Sequence, residues 1–208
     1  MLALFASALA SFLVIIDPPG CAPIFASLTA GTSADHRRKM ALRSSLIAWC
    51  ILIFFALLGR SLLHALGITL AAFRLAGGIM LFIIALEMVF EKRTQRREER
   101  ANAVEAEGAD DISVFPMAIP MIAGPGSIAT AMLLTARAEG ISETLVVLGA
   151  MSLVILLTLI ALLAAGPIMR FVGAKLEAMI TRILGVILAA LAAQFVVDGL
   201  RQSFPGLS

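Results

Sequence analysis

Apolar residues gather in six long blocks separated by short polar stretches. The blocks run from Leu2 to Ala30, Met40 to Leu66, Gly67 to Phe90, Ile112 to Ala136, Thr144 to Met169 and Leu176 to Leu200. A helix needs about 20 mainly apolar residues to cross a hydrocarbon core, and every block supplies them. The blocks are continuous rather than alternating, and a barrel strand would be only about 10 residues long. The first block has no basic residue before it, the first being Arg37, and its apolar run breaks and then resumes. It therefore reads as a mature span and not as a secretory signal. The pattern predicts an all-α membrane protein with six transmembrane helices.

Composition agrees. The 208 residues are 61% hydrophobic and 14% charged, with a mean hydropathy of +1.02. Soluble domains carry about 25% charged residues. A water-soluble chain of this kind has too few polar groups to cover its surface, so the excess faces lipid. A formal net charge of +2 is too small for a nucleic-acid binder. Two Cys and two His leave little for a metal centre or a disulfide framework. Cys21 and Cys50 both lie in apolar runs and are expected to be buried free thiols.

Lys and Arg mark the cytoplasmic side of a membrane protein. Of the 16, eleven follow blocks 1, 3 and 5: Arg37, Arg38, Lys39, Arg43, Lys92, Arg93, Arg96, Arg97, Arg100, Arg170 and Lys175. Arg60, Arg137 and Arg201 fall on the other side, and Arg74 and Arg182 lie within blocks. This bias places both termini outside the cytoplasm. Re-entrant hairpins at blocks 1 and 4 would give the same bias. Length favours crossing, since Leu2 to Ile16 alone rises about 22 Å as helix. The longest polar piece, Glu91 to Asp111, has 12 charged residues of 21 with mixed signs. It reads as a solvated extension of the third span followed by a flexible linker, with a partner-docking loop as the alternative. The organisation is thus a three-span unit over 1–90, a linker over 91–111 and a second three-span unit over 112–208.

Blocks 1 and 4 are interrupted midway. One holds Asp17-Pro18-Pro19-Gly20-Cys21-Ala22-Pro23, the other Pro120-Met121-Ile122-Ala123-Gly124-Pro125-Gly126-Ser127. Proline removes a backbone donor and clashes with the preceding turn, and clusters of Pro and Gly predict unwound segments inside the span. Pro19-Gly20-Cys21 matches Pro125-Gly126-Ser127 at an offset of 106 residues, and Leu28-Thr29-Ala30 keeps that offset with Leu134-Thr135-Ala136. Arg74, Gly77 and Ile79 match Arg182, Gly185 and Ile187 at 108. Three spans per half make the duplication an inverted one, the plan of many secondary transporters with discontinuous helices.

Irregular backbone in lipid is tolerated only inside protein or along a wet cavity. Two symmetry-related breaks would meet near one centre. Free N–H groups near Gly20, Cys21, Gly126 and Ser127 suit a carboxylate, and free carbonyls near Val14 to Ile16 and Ala123 suit a cation. The pair suits a small zwitterion. Candidate binding residues are Asp17, Pro19, Gly20, Cys21, Gly124, Pro125, Gly126, Ser127 and Thr130. Asp17 reads either as a functional ionisable group or as the cap of the half-helix after it. Ser127 and Thr130 read either as site-lining hydroxyls or as groups bonded back to their own helix. Arg74 and Arg182 read as gates, or as snorkelling or capping side chains; inversion puts them at opposite ends.

Other features have plain readings. Glu87 and Asp198 are expected in ion pairs near the span ends, Asp198 with Arg201, and Gln194 in a bond between helices. Gly77 and Gly78 permit close helix packing. Gly166-Pro167 bends or ends the fifth span. Gly124 to Ser127 lacks the Lys and hydroxyl residue of a phosphate loop. His36 and His64 fall on opposite sides and cannot share a metal. No nucleophile, base and orienter set is visible, so an enzyme is not expected.

The first interruption, extended by Ile24-Phe25 and Ser27-Leu28-Thr29, resembles the first motif of the MarC family of bacterial inner-membrane proteins. Ile119 to Ile128 resembles its second motif, and Arg74 to Gly78 and Arg182 to Gly185 are similar to its third and sixth spans. The chain departs from the family in carrying Asp17 where members often have Asn. The resemblance implies six spans in a bacterial inner membrane. Some relatives are described as small neutral amino acid transporters, and the family is distantly similar to amino acid exporters. The expectation is a secondary transporter of a small metabolite, foremost a small neutral amino acid, working by alternating access. The expected partners are that zwitterion and the bilayer, with no cofactor; coupling to a proton or sodium ion and a homo-oligomer are left open. The alternative is a membrane scaffold or regulatory protein that docks partners through Glu91 to Asp111. Reporter fusions test the orientation: a periplasm-active phosphatase joined after Ser208 is expected to be active, and a cytoplasm-only signal there would overturn it.

Overall fold

The computed structural model describes residues 1–106 and 111–204, leaving aside side chains at 100, 104–106, 166–175 and 177. No strand occurs among the described residues. The first span is α1 (Leu2–Ile16) and α2 (Pro18–Leu28), divided at Asp17. Next come α3 (Ala34–Ala65), α4 (Leu70–Val89) and α5 (Lys92–Ala106). An irregular helical segment, Ser113–Ile122, leads into α6 (Pro125–Arg137). Helices α7 (Ile141–Leu163) and α8 (Ala165–Ser203) complete the chain. Five helical stretches are long and apolar enough to span a membrane, and the bent pair of Ser113–Ile122 with α6 makes a sixth.

Local chemistry sets the ends of several elements. Ser33 and Thr69 cap α3 and α4 by accepting hydrogen bonds from the N–H groups of His36 and Ala72. Glu91 takes a left-handed backbone, φ 61°. That turn separates α5 from α4, so the polar segment does not continue the third span as the sequence suggests. Positions 107–110 of that segment, and the side chains of Arg170 and Lys175, lie outside the described residues. At the irregular segment Phe115 and Ile119 adopt extended angles, each just before a proline, where an α conformation is sterically disfavoured. Asp111 leads into it: the Ser113 hydroxyl and N–H donate to its carboxylate at 2.5 and 2.9 Å, holding the acid below its usual range.

The fifth span closes earlier than its apolar pattern indicates. Helix α7 stops at Leu163, not Met169, and α8 begins at Ala165, not Leu176. Pro167 sits in the first turn of α8, where its missing N–H costs no helical hydrogen bond. Cys21 is buried as expected, whereas Cys50 is exposed on α3. The exposed face also carries Phe54, Ile83, Leu156 and Val186, a surface suited to lipid.

Packing places α4 along α8, α1 and α2 against α7, and the irregular segment with α6 against α3. The α4–α8 pair is close because both helices present glycine. A Cβ on Gly78 would lie 2.8 Å from the Val196 nitrogen and 2.9 Å from the Ala192 oxygen. One on Gly199 would lie 2.9 Å from the Leu75 nitrogen. The indole N–H of Trp49 donates to the Ser152 hydroxyl at 2.8 Å, tying α3 to α7. Val in place of Gly78 meets backbone that cannot yield locally. The Gly78→Val variant is expected to lose about 1–3 kcal/mol of stability, read as a lower unfolding midpoint in detergent; an unchanged midpoint would contradict the α4–α8 contact.

Candidate functional site

The first break is one residue wide. Asp17 takes left-handed angles (φ 59°, ψ 66°), and α1 and α2 otherwise make one 27-residue apolar span. Its N–H closes α1 on Leu13 and its carbonyl accepts from Cys21 at 3.1 Å. Pro18 and Pro19 have no N–H to leave unpaired, and the Gly20 N–H donates to Asp17 Oδ1 at 3.2 Å. The N-terminus of α2 is therefore satisfied within the chain, as the capping alternative requires. The Cys21 thiol also turns inward, 3.5 Å from the Ile16 oxygen. Gly20 is required here, since a Cβ would collide with the Asp17 carboxylate and come within 2.9 Å of Arg97 Nη1.

The second break is wider and bends the chain by 54°. Gly124 caps α6 with extended backbone and no side-chain hydrogen bond. Pro125 fills the first helical position, and the N–H groups of Gly126 and Ser127 belong to the first turn, whose donors lack helical partners. Ser127 is 2% exposed. The two breaks approach closely: a Cβ on Gly126 would lie 2.9 Å from Ile15 Cδ1.

Between them comes a contribution from the polar segment. Helix α5 packs back against α2, α4 and the irregular segment, with Arg97 and Ala101 buried on its inner face. Arg97 Nη1 donates to Asp17 Oδ2 at 3.1 Å, with the two side chains 6% and 1% exposed. Its Nη2 lies 3.4 Å from the Ile16 oxygen and 3.5 Å from the Met121 oxygen. One guanidinium thus spans both breaks. One turn earlier, Arg93 Nη2 donates to the Ile15 oxygen at 2.6 Å and Nη1 to Met88 Sδ at 2.9 Å. The carbonyls of Ile15 and Ile16, expected to be free for a cation, are taken by these two arginines. Arg96 points outward and pairs with Glu87 at 2.5 Å.

These groups enclose a cavity of about 350 Å³. Ile15 reaches it from the first break, and Pro120, Met121, Gly124, Pro125, Gly126 and Ser127 from the second. Arg93, Arg96 and Arg97 line it from α5, and Met80, Ile83, Ile84 and Glu87 from one face of α4. Asp17, Pro19, Gly20 and Cys21 do not line it; the first break faces it through Ile15 and through the arginines it holds. Thr130 is buried and its hydroxyl has no hydrogen-bond partner, so it is not bonded back to its own helix. Sequence reasoning missed Arg93 and Arg97. Their one-turn spacing with Ala101 marks a helix face, but on so polar a segment arginines one turn apart usually face water.

Arg74 and Arg182 lie at opposite ends and outside the cavity. Arg182 pairs with Glu91 at the α5 end. Arg74 is 4% exposed at the far end, and its Nε has no hydrogen-bond partner. Beside it Arg137 pairs with Asp198 and stacks 4.7 Å over the Phe195 ring. Asp198 thus meets Arg137 rather than the expected Arg201, and Gln194 bonds Asp198 within α8 at 2.7 Å rather than another helix.

A buried charge stripped of its partner is strongly destabilising. Arg97→Gln, which strands the Asp17 carboxylate, is expected to cost about 3–5 kcal/mol. Adding Asp17→Asn should recover much of it, because the amide needs no counter-charge. Chemical unfolding of the purified single and double variants measures this. A double variant as unstable as the single one would contradict the pairing.

Comparison with known proteins places this architecture. The family pattern described as MarC family integral membrane protein matches residues 2–204. An Archaeoglobus fulgidus UPF0056 membrane protein is 34% identical over 97% of this chain and 94% of its own length. UPF0056 membrane protein YvbG of Bacillus subtilis is 34% identical over 95% and 94%. YhcE of Escherichia coli is 32% identical over 93% and 90%. No solved structure matches the chain. With a family match over nearly the whole length and relatives above 30% identity, the chain belongs to the MarC family of integral membrane proteins.

Proposed function

We propose that this multi-pass membrane protein is a secondary transporter of a small metabolite, foremost a small neutral amino acid, working by alternating access around its two breaks. The observation that carries the reading is the cavity lined from both breaks. Its volume is at the low end of small-molecule sites, which run about 300–1,000 Å³. It presents an uncapped helix start and a carboxylate, Glu87, as a zwitterion requires. Further support comes from the pairing of elements. α1 with α2 lies on α7 as the irregular segment with α6 lies on α3, and α4 pairs with α8. An inverted repeat of two three-span halves accounts for that pattern.

In this reading the protein sits in a bacterial inner membrane, with α5 cytoplasmic and both termini outside. The cavity's rim at the α5 end carries the exposed Arg96, while Arg137, Asp198 and Phe195 close the far end between α6 and α8. The conformation is then inward-facing, and the Arg137–Asp198 pair is the outer gate. The inward-turned arginines of α5 give that helix a role inside the molecule and weigh against a segment used only for docking.

Purified protein in liposomes is expected to move labelled glycine, alanine or serine, with the proton and sodium gradients applied in turn to identify the coupling ion. No flux of any of the three under either gradient would overturn the proposal. Asp198→Ala, which releases the outer gate, is expected to shift the population outward, read as faster alkylation of a Cys placed at Leu134; unchanged labelling would remove the gate.

A further inference from the structure

Among the described residues, Arg93, Arg96, Arg97 and the single carboxylate Glu87 line the cavity. Glu87 answers Arg96 and Asp17 answers Arg97. Arg93 has no carboxylate within ion-pair distance among the described residues; its contacts are a backbone oxygen and a thioether. A guanidinium has five donors, so these two contacts leave donors available on a group that lines the cavity. The same wall holds the uncapped start of α6, where the helix dipole adds partial positive charge. Ser127 lies there too, 2% exposed, with no hydrogen bond to its hydroxyl among the described residues. Arg93, the start of α6 and the Ser127 hydroxyl thus face one space, and Arg93 has no ion-pair partner there among the described residues.

We propose that Arg93, the Gly126 and Ser127 N–H groups and the Ser127 hydroxyl form a carboxylate subsite, and that this cavity selects small monocarboxylates by their acid end. Guanidinium and carboxylate match as a bidentate, charge-assisted pair. Glu87, 16% exposed and shared with the mostly exposed Arg96, is the group that meets an α-ammonium. The acid end is the anchor and the amino group is secondary. Short carboxylates without an amino group therefore bind, whereas amides that keep the amino group bind much more weakly. The inference rests on the transport reading for its substrate and adds the residue that recognises it, from a helix outside the six spans.

Equilibrium binding to the purified protein in nanodiscs tests it, with glycine, alanine, lactate, glycinamide and alaninamide as probes. Glycine and alanine are expected to bind, lactate within about tenfold of alanine, and the amides at least tenfold more weakly, the cost of about one charge-assisted hydrogen bond. Arg93→Gln should weaken the acids at least tenfold and leave the amides unchanged. Ser127→Ala, which leaves every ion pair intact, should weaken the acids alone by a smaller factor and guards against a misfolded Arg93 variant. Glu87→Gln should bring alanine down to lactate. Amides binding as well as acids, or full acid affinity in both the Arg93 and Ser127 variants, would overturn the subsite while leaving transport standing. Acid binding without flux in liposomes would remove the transport reading and keep the subsite. Failure of all five probes to bind would remove the subsite.

Discussion

A carboxylate in the middle of an apolar span must be matched, because an isolated charge there costs far more than a helix can return. Asp17 is matched twice. One oxygen accepts from the Gly20 N–H, which ends the open donors of α2, and the other accepts from Arg97. The second contact organises much of the α5 end. It draws a highly charged helix back over the membrane-facing core. It brings Arg93 onto Ile15 one turn away. It also carries the Arg97 guanidinium to the Met121 carbonyl of the second break. Without Arg97, three acceptors near the cavity would lose a donor, and α5 would lose its buried anchor. A buried pair of this kind is weak evidence for net stability; what it specifies here is where α5 lies.

The spans were legible because lipid imposes one requirement on every residue of a crossing helix, and that requirement shows in composition. All six apolar blocks correspond to observed elements, and Gly77 and Gly78 packed as small residues in lipid do. Both breaks were also legible, since proline and glycine act through local sterics. What each break does was less so. The sequence suggested two equivalent unwound segments, yet Asp17 needs only one left-handed residue to change helix, while the irregular segment bends the chain by 54°. The boundary at Ala164 escaped because the apolar run crosses it without a polar residue. The partner of Asp17 escaped for a different reason. A guanidinium 80 residues away on a polar helix carries no local sign that it is buried, and only the turn at Glu91 aims it inward.

The difference between the breaks bears most directly on function. A symmetric reading gives each break one end for an anion and one for a cation. In the first break both are consumed: the donors by two prolines and a capping carboxylate, the carbonyls by two arginines. In the second break Gly124 offers no side-chain cap, so the start of α6 keeps its capacity for an anion. The two breaks share the Pro-Gly pattern at 19–20 and 125–126, and the acidic residue at position 17 makes the first of them a holder for cations from α5. The cation it holds is tethered, and its neighbour Arg93 extends into the shared cavity. The break that satisfies itself thus positions arginines beside the uncapped start of α6, so the proposed subsite depends on both breaks although only one retains an uncapped helix start.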